Sequence, residues 1–290
     1  MKLSVVCLTY NHEKYIADAV DGFLMQETTF PIEIIVADDC STDGTLSILK
    51  KYSDPRLKII SRPKNLGAKK NFLDVISRMK GEYMALCDGD DYWTVPLKLQ
   101  KQVDYLEANK DCSMCFHPVK MFLEDDKSKN CDFPNPTHHP FVFEGKTNLE
   151  NIVQQNYIQA NSVVYRWRSD AAKGIEKIMP GDHYLHIRHA EKGKIGFIDE
   201  VMGEYRRHSE SVWFDTESAE FWAKIGIKHL ELFRYMDNTY HFSYQYEDAL
   251  FRVCLNIVNA AIKLQDKNLL DKVKELYPDQ IEKLFTKETE

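Results

Sequence analysis

Over the first hundred residues, short β-branched runs alternate with stretches whose apolar residues recur at helical spacing, a pattern that restricts the chain to βαβ units around a parallel sheet. Residues 3–8 read as strand one. A helix over about 13–25 follows, with Ile16, Ala19, Val20, Phe23 and Leu24 on one face and Asn11 available as its cap. Residues 33–37 are strand two. The polar turn Asp38-Asp39-Cys40-Ser41-Thr42-Asp43-Gly44-Thr45 then leads into a helix carrying Leu46, Ile48 and Leu49. Residues 57–60 are strand three, and the helix after Asn65-Leu66-Gly67 carries Phe72, Leu73, Val75 and Ile76. Residues 83–87 form strand four, apolar throughout, as a central parallel strand buried on both faces should be.

Beyond it, Pro96 suits the first turn of a helix reaching about residue 108. Residues 127–140 hold three prolines and read as a loop or boundary. A strand is expected at 162–165, a helix after Gly181-Asp182, and a strand at 195–198 leading to Tyr205-Arg206-Arg207-His208. After about residue 215 the apolar spacing is helical. The expected organisation is a three-layer α/β domain over 1–215 with a helical extension over 216–290.

The 290 residues carry a formal net charge of -7 with no basic stripe, which argues against a nucleic-acid partner. Neither a signal-peptide core nor a run of about 18 apolar residues is present, so a cytoplasmic protein is expected. Peripheral contact with the inner face of a membrane is compatible with the C-terminal helices but unsupported by a basic face. The seven cysteines, odd in number and scattered, read as reduced thiols. Cys112-Ser113-Met114-Cys115 lacks a second clean pair for structural zinc.

Ligands of open α/β sheets sit beyond the carboxyl ends of the strands. Here those ends carry Thr9-Tyr10-Asn11, Asp38-Asp39, Asn65-Leu66-Gly67 and Asp88-Gly89-Asp90-Asp91. Three carboxylates within four residues repel one another unless a cation compensates. In an extended segment Asp88 and Asp90 would point the same way, a hard-oxygen pair suited to Mg²⁺ or Mn²⁺. An acidic turn is the plainer alternative.

These motifs, in this order and approximate spacing over about residues 1–210, resemble family 2 glycosyltransferases of the GT-A fold. The resemblance implies metal-dependent, inverting transfer of a hexose or N-acetylhexosamine from a nucleotide sugar, a UDP sugar foremost, to a saccharide or lipid-linked saccharide. Bacterial surface polysaccharide assembly is the implied setting. Thr9, Tyr10 and Asn11 would line the base, Asp38 and Asp39 would accept from uracil N3–H or ribose, and Asn65 would follow at the next strand end. Lys69, Lys70 and Asn71 lie where the family often places a basic or amide contact. Asp88, with Gly89 allowing close backbone approach, would reach the ribose. Asp90 and Asp91 would hold the metal, Mn²⁺ or Mg²⁺, with the direct ligand open between them. His208 would complete the coordination or touch the diphosphate, and Arg206 or Arg207 would pair with phosphate.

Asp182, at a helix start, would be the general base, and Trp93 or Trp213 could stack on a sugar. Each role has a structural alternative: helix capping for Asn11 and Asp182, core packing for the tryptophans. Gly89 stands where the family usually has Ala or Ser, and Cys40 where Gly or Asn is commoner. The rival readings are a sugar nucleotidyltransferase, which would want a Gly-rich basic loop after strand one, and a nonenzymatic sugar-nucleotide or glycan-binding module.

Overall fold

The computed structural model describes residues 1–124, 128, 130–211, 215–240 and 246–286, with side chains to 284. The chain divides into two compact units. The first comprises Met1–Leu149, Tyr157–Lys173 and Leu185–His208, and the second Glu150–Asn156, Gly174–Tyr184 and Ser209–Glu290.

The first unit opens with the alternation expected from sequence: β1 (Leu3–Thr9), α1 (Ile16–Leu24), β2 (Ile32–Asp38), α2 (Thr45–Leu49), β3 (Leu57–Ser61), α3 (Ala68–Arg78) and β4 (Tyr83–Leu86). It continues through β5 (Tyr92–Trp93), α4 (Lys98–Ala108), β6 (Cys112–Phe116), β7 (Val119–Leu123), β8 (Cys131–Phe133) and α5 (Pro140–Phe143). After α6 (Leu149–Gln154), which belongs to the second unit from Glu150 on, come β9 (Val164–Arg166), α7 (Gly181–Ala190), which belongs to the second unit up to Tyr184, then β10 (Lys194–Phe197) and β11 (Gly203–Arg207).

Seven strands form one sheet in the order β10-β6-β9-β4-β1-β2-β3. β9 alone runs antiparallel to its neighbours, β4 and β6. β1 pairs with β2 on one side and β4 on the other, so the strand order reverses at β1 and the crevice of the sheet opens at the ends of β1 and β4. β1 and β2 are buried along nearly their whole length, which explains their aliphatic character.

α1 covers the sheet with Ile16, Ala19, Val20 and Phe23. Gly22 lets it touch the β5 backbone, where an added Cβ would lie 3.0 Å from the nitrogen and oxygen of Trp93. Trp93 is core, not a sugar platform: its ring is 1% exposed, meets Phe23 edge-on at 4.9 Å, and its Nε1–H donates to the Asn161 carbonyl at 2.7 Å. Trp213 lies outside the described residues.

A second sheet, β5-β11-β7-β8, was not expected from sequence. Its strands are two to five residues long and lack a sustained period. β8 falls within the segment read as loop and is held by antiparallel pairing of Val119 with Phe133 and Met121 with Cys131. Tyr205, Arg206 and Arg207 stand in β11 itself, beside β7.

The second unit contains α8 (Ala219–Thr239), α9 (Glu247–Lys263), α10 (Lys267–Leu276) and α11 (Pro278–Thr286). Ser218 caps α8 through the Phe221 N–H at 3.1 Å, and Asp266 caps α10 through the Leu269 N–H at 3.0 Å. No helix among the described residues is long and apolar enough to cross a membrane.

One buried carboxylate ties the edge of this frame together. Glu33, 1% exposed, accepts from Ser4 Oγ and the Lys80 N–H at 2.6 Å each and pairs with Lys58 Nζ at 2.5 Å. Burial alone would raise its pKa, but these three donors outweigh it and hold it below 4.5. A depressed carboxylate contributes stability above its unfolded pKa and loses it as pH falls through the folded value. Glu33→Gln should therefore lower stability at neutral pH by about 2 kcal/mol. It should also flatten the decline below pH 4.5, as urea unfolding across that range would show.

Candidate functional site at the sheet switch point

The ends of β1 and β4 are locked together. Gly89 donates its N–H to the Leu8 carbonyl at 2.9 Å. A Cβ on Gly89 would fall 2.7 Å from Thr9 Oγ1 and 2.9 Å from His12 Nδ1, so only glycine fits this approach. Thr9 is 2% exposed, and its Oγ1 has no hydrogen-bond partner among the described residues. Tyr10 beside it is 44% exposed.

The loops after β1, β2 and β3 hold one another through side chains. Asn11 has a left-handed backbone, φ 57°, a conformation asparagine tolerates better than most residues. It does not cap α1, which starts at Ile16 without a side-chain cap. Instead its Oδ1 accepts the Thr42 N–H at 2.8 Å while its own N–H donates to Ser41 Oγ at 2.9 Å. Cys40 also lies in the left-handed region, φ 65°, which explains why glycine or asparagine is commoner there.

Asp38 and Asp39, expected to act together, have different surroundings. Asp39 spends its two oxygens on the Leu66 and Gly67 N–H groups, 2.8 Å each, and so pins the loop containing Asn65. Asn65 Oδ1 itself accepts the Gly67 N–H at 3.0 Å. Asp38 is fully buried, and its Oδ2 accepts only a long 3.3 Å bond from the Ser41 N–H. Its Oδ1 has no partner among the described residues. A buried carboxylate oxygen in this state carries an uncompensated desolvation cost.

Lys69 is half-buried and Lys70 exposed in the first turn of α3. Asn71 is fully buried, donating to the Ala37 carbonyl at 3.1 Å and accepting from Arg62 Nε at 3.0 Å, so it is structural.

The acidic segment is not extended. The Asp91 N–H closes a turn on the Asp88 carbonyl at 3.1 Å, leaving Asp88 exposed while Asp90 and Asp91 turn inward. Asp90 Oδ2 meets His208 Nε2 at 3.2 Å and His12 Nε2 at 4.0 Å. Burial pushes the Asp90 pKa up, but the His208 hydrogen bond and the two imidazoles more than reverse it, and the net shift is downward. Asp91 goes the other way. Burial and the neighbouring Asp90 charge raise it well above the ordinary range, against the Arg206 N–H that donates to Oδ1 at 2.9 Å.

Arg206, expected at a phosphate, is committed within the protein. Its guanidinium pairs with Asp18 of α1, donates to the Asp90 carbonyl at 3.3 Å and stacks 4.3 Å from the Tyr92 ring centroid. Tyr15, whose hydroxyl donates to Glu124 at 2.9 Å, packs its ring 4.5 Å from that of His208. His12, Tyr15 and Asp18 were not singled out from sequence. His12 alone gave a signal there, an imidazole directly after the strand-end asparagine.

Two ligands of one cation at about 2.1 Å each, roughly at right angles, stand about 3 Å apart. The 3.2 Å between Asp90 Oδ2 and His208 Nε2 is the length of an ordinary hydrogen bond and is also compatible with that spacing. Among the described residues no group of three or more His, Cys, Asp or Glu side chains could hold a metal ion. A centre supplying one or two carboxylates and taking the rest from substrate phosphates is the usual mode for Mg²⁺; Asp90 offers such an oxygen, while the His208 imidazole suits a transition-metal ion better.

In the second unit, Asp182 stands in the first turn of α7, half-buried, and accepts from Asn156 Nδ2 at 3.3 Å. The adjacent His183 Nε2 is bound to the Ile152 carbonyl at 2.6 Å. Burial raises the Asp182 pKa above 3.8, opposed by the His183 N–H, the His183 charge and Asn156.

An uncharacterized protein of Mycobacterium tuberculosis is 44% identical over 229 residues, which are 77% of this chain and 64% of that protein. The chain thus spans less than two thirds of that relative's length. The putative teichuronic acid biosynthesis glycosyltransferase TuaG of Bacillus subtilis is 34% identical over 125 residues, 42% of this chain and 48% of TuaG. The Staphylococcus aureus TarS 1-349 structure in complex with UDP-GlcNAc superposes with a TM-score of 0.65 at 19% identity, covering 97% of this chain and 81% of that one. The mannosyltransferase PcManGT from Pyrobaculum calidifontis, in complex with GDP-Man and Mn²⁺, gives 0.59 at 14% identity over 96% and 74%. The mostly parallel seven-stranded sheet is therefore the GT-A arrangement that the motifs implied. Residues 4–166 match Glycosyl transferase family 2, from β1 to the end of β9 with every strand-end motif through Asp91 included, and the chain belongs to that family.

Proposed function

We propose that the chain is an inverting glycosyltransferase that moves a hexose or N-acetylhexosamine from a UDP sugar to a hydroxyl of a saccharide or lipid-linked saccharide. The observation that carries this reading is the Asp90–His208 pair at 3.2 Å, set at the strand-order reversal beside the unpartnered buried acceptors of Thr9 and Asp38. In this reading Asp38 Oδ1 accepts the uracil N3–H or a ribose hydroxyl, Thr9 and Tyr10 line the base, and Asp88 faces the ribose. Asp39, Asn11 and Asn65 act by holding the loops.

Asp90, with His208, is the direct side of the cation centre. Asp91, turned into the protein and bound to the Arg206 N–H, supports the turn from behind. A bound Mn²⁺ or Mg²⁺ would neutralise diphosphate charge as a Lewis acid. Asp182 takes the proton of the acceptor hydroxyl while that oxygen forms its bond to the anomeric carbon and the nucleoside diphosphate departs from the opposite face, which inverts the centre. A raised pKa makes Asp182 a stronger base than an ordinary aspartate.

The catalytic domain in this reading covers residues 1–215, with 216–290 as its helical extension. A cytoplasmic enzyme of surface polysaccharide assembly, working at the inner membrane face, fits the presence of TuaG among its relatives. TarS, solved with UDP-GlcNAc, supports the choice of UDP.

Calorimetry should show UDP binding that needs a divalent cation in the wild type and is largely lost in Asp90→Ala; equal binding without metal would remove the cation centre. Asp38→Asn, which leaves one acceptor oxygen for two donors, the Ser41 N–H and the ligand, should weaken UDP about tenfold or more with little change in unfolding temperature. Asp39→Asn should do the reverse, lowering stability more than affinity, and identical behaviour of the two would contradict the division of roles. Asp182→Asn should keep UDP affinity and slow transfer by at least about a hundredfold. Because the base must be ionised, the wild-type transfer rate should fall on the acid side through a pKa above 3.8, a limb absent from the residual rate of the variant.

A further inference from the structure

We infer that the second unit carries a saccharide-binding site of its own, in the cavity where the ends of α8, α9, α10 and α11 meet, and that its ligand is a neutral sugar ring. The choice of a saccharide rests on the reading of the chain as a transferase that acts on one; the cavity and its polar groups stand without it. The cavity has a volume of about 350 Å³, with Asp237, Tyr246, Glu247, Leu250, Tyr277 and Gln280 in its lining, and so belongs to the size class of small-molecule sites. Asp237 stands in the last turn of α8, Tyr246 directly precedes α9, and Tyr277 separates α10 from α11.

Acidic residues alone do not make this a site. Glu247 and Asp279 stand in the first turns of α9 and α11, where the helix dipole already favours carboxylates. Two of the carboxylates are also engaged. Asp237 accepts the Tyr246 hydroxyl at 2.6 Å and the Tyr277 hydroxyl at 2.9 Å. Burial and that carboxylate push both phenols up in pKa, so they stay protonated donors. Glu247 pairs with Lys283 and accepts from the Gln280 amide. What remains is Gln280 itself. It is 9% exposed, it lines the cavity, and its Oε1 has no partner among the described residues, an acceptor with an uncompensated desolvation cost.

The ligand must therefore bring a donor. Asp237, Glu247 and Asp279 in the lining repel phosphate and uronic acid groups. An organic ammonium would want an unanswered carboxylate, and Asp237 and Glu247 are already answered. A sugar hydroxyl is an uncharged donor for Gln280 Oε1, and the C–H face of the same ring can pack on Tyr277, Leu250 and Pro278, which also line the cavity.

The test uses the full chain and saturation-transfer NMR. The neutral probes are the methyl glycosides of glucose, galactose, mannose, N-acetylglucosamine and N-acetylgalactosamine, with methyl glucuronide as the anionic probe and butylammonium as the cationic one. At least one neutral glycoside should bind, and more tightly than either charged probe. Gln280→Met, which keeps the side-chain length and removes the amide, should weaken that glycoside about tenfold and leave UDP binding unchanged, with thermal unfolding confirming the fold. Gln280→Leu should repeat the loss. A Gln280 that served structure alone would shift the unfolding temperature and leave glycoside affinity at the wild-type value, which would overturn the proposal. Binding of no neutral glycoside, or binding of butylammonium or methyl glucuronide in preference to all of them, would overturn it as well. Absence of UDP binding in the wild type would instead remove the transferase reading, and glycoside binding lost in the Gln280 variants would still stand.

Discussion

The site depends on the close parallel contact between the ends of β1 and β4. The Gly89 N–H meets the Leu8 carbonyl at 2.9 Å, and the missing side chain at Gly89 lets the acidic turn lie directly against Thr9 and His12. That contact brings residues about eighty positions apart into one cluster. It works because both strands are apolar and buried, so their register is set by the core and is not free to slip.

Around this seam the polar groups divide into those that build and those that wait. Asp39, Asn11, Asn71 and Arg206 have their hydrogen-bonding atoms engaged with loops, helices or the adjoining carboxylate segment. Thr9 Oγ1 and Asp38 Oδ1 are buried without partners among the described residues. Burial without a partner is costly for a carboxylate oxygen, which is what sets Asp38 apart from Asp39. Asp90 and Asp91 show the same division within two residues: the histidines hold one below its ordinary pKa, and burial beside its neighbour lifts the other above it.

Much of the first unit was legible in the sequence. The β1, β2, β3 and β4 runs fall within one or two residues of the observed strands, because an aliphatic run bounded by turn residues has few alternatives when both faces must be covered. The second sheet was not legible. β5 and β8 are two and three residues long and exist through pairing with β11 and β7, a non-local gain that no local pattern records. Trp93 illustrates the same limit, since an aromatic residue after an acidic motif reads equally as a sugar platform or as core until its ring is found against Phe23.

Sequence alone determined the parallel α/β class, the crevice at the strand ends and the family, since periodicity and ordered motifs are local properties of the chain. Tertiary structure decided which groups do what. Asp38 rather than Asp39 keeps an unused acceptor, Arg206 serves Asp18 and the Asp90 carbonyl, and His12 and His208, nearly two hundred positions apart, converge on one oxygen of Asp90. The physical reason is that a polar side chain's role depends on which of its lone pairs and hydrogens are already satisfied, and those partners come from distant segments.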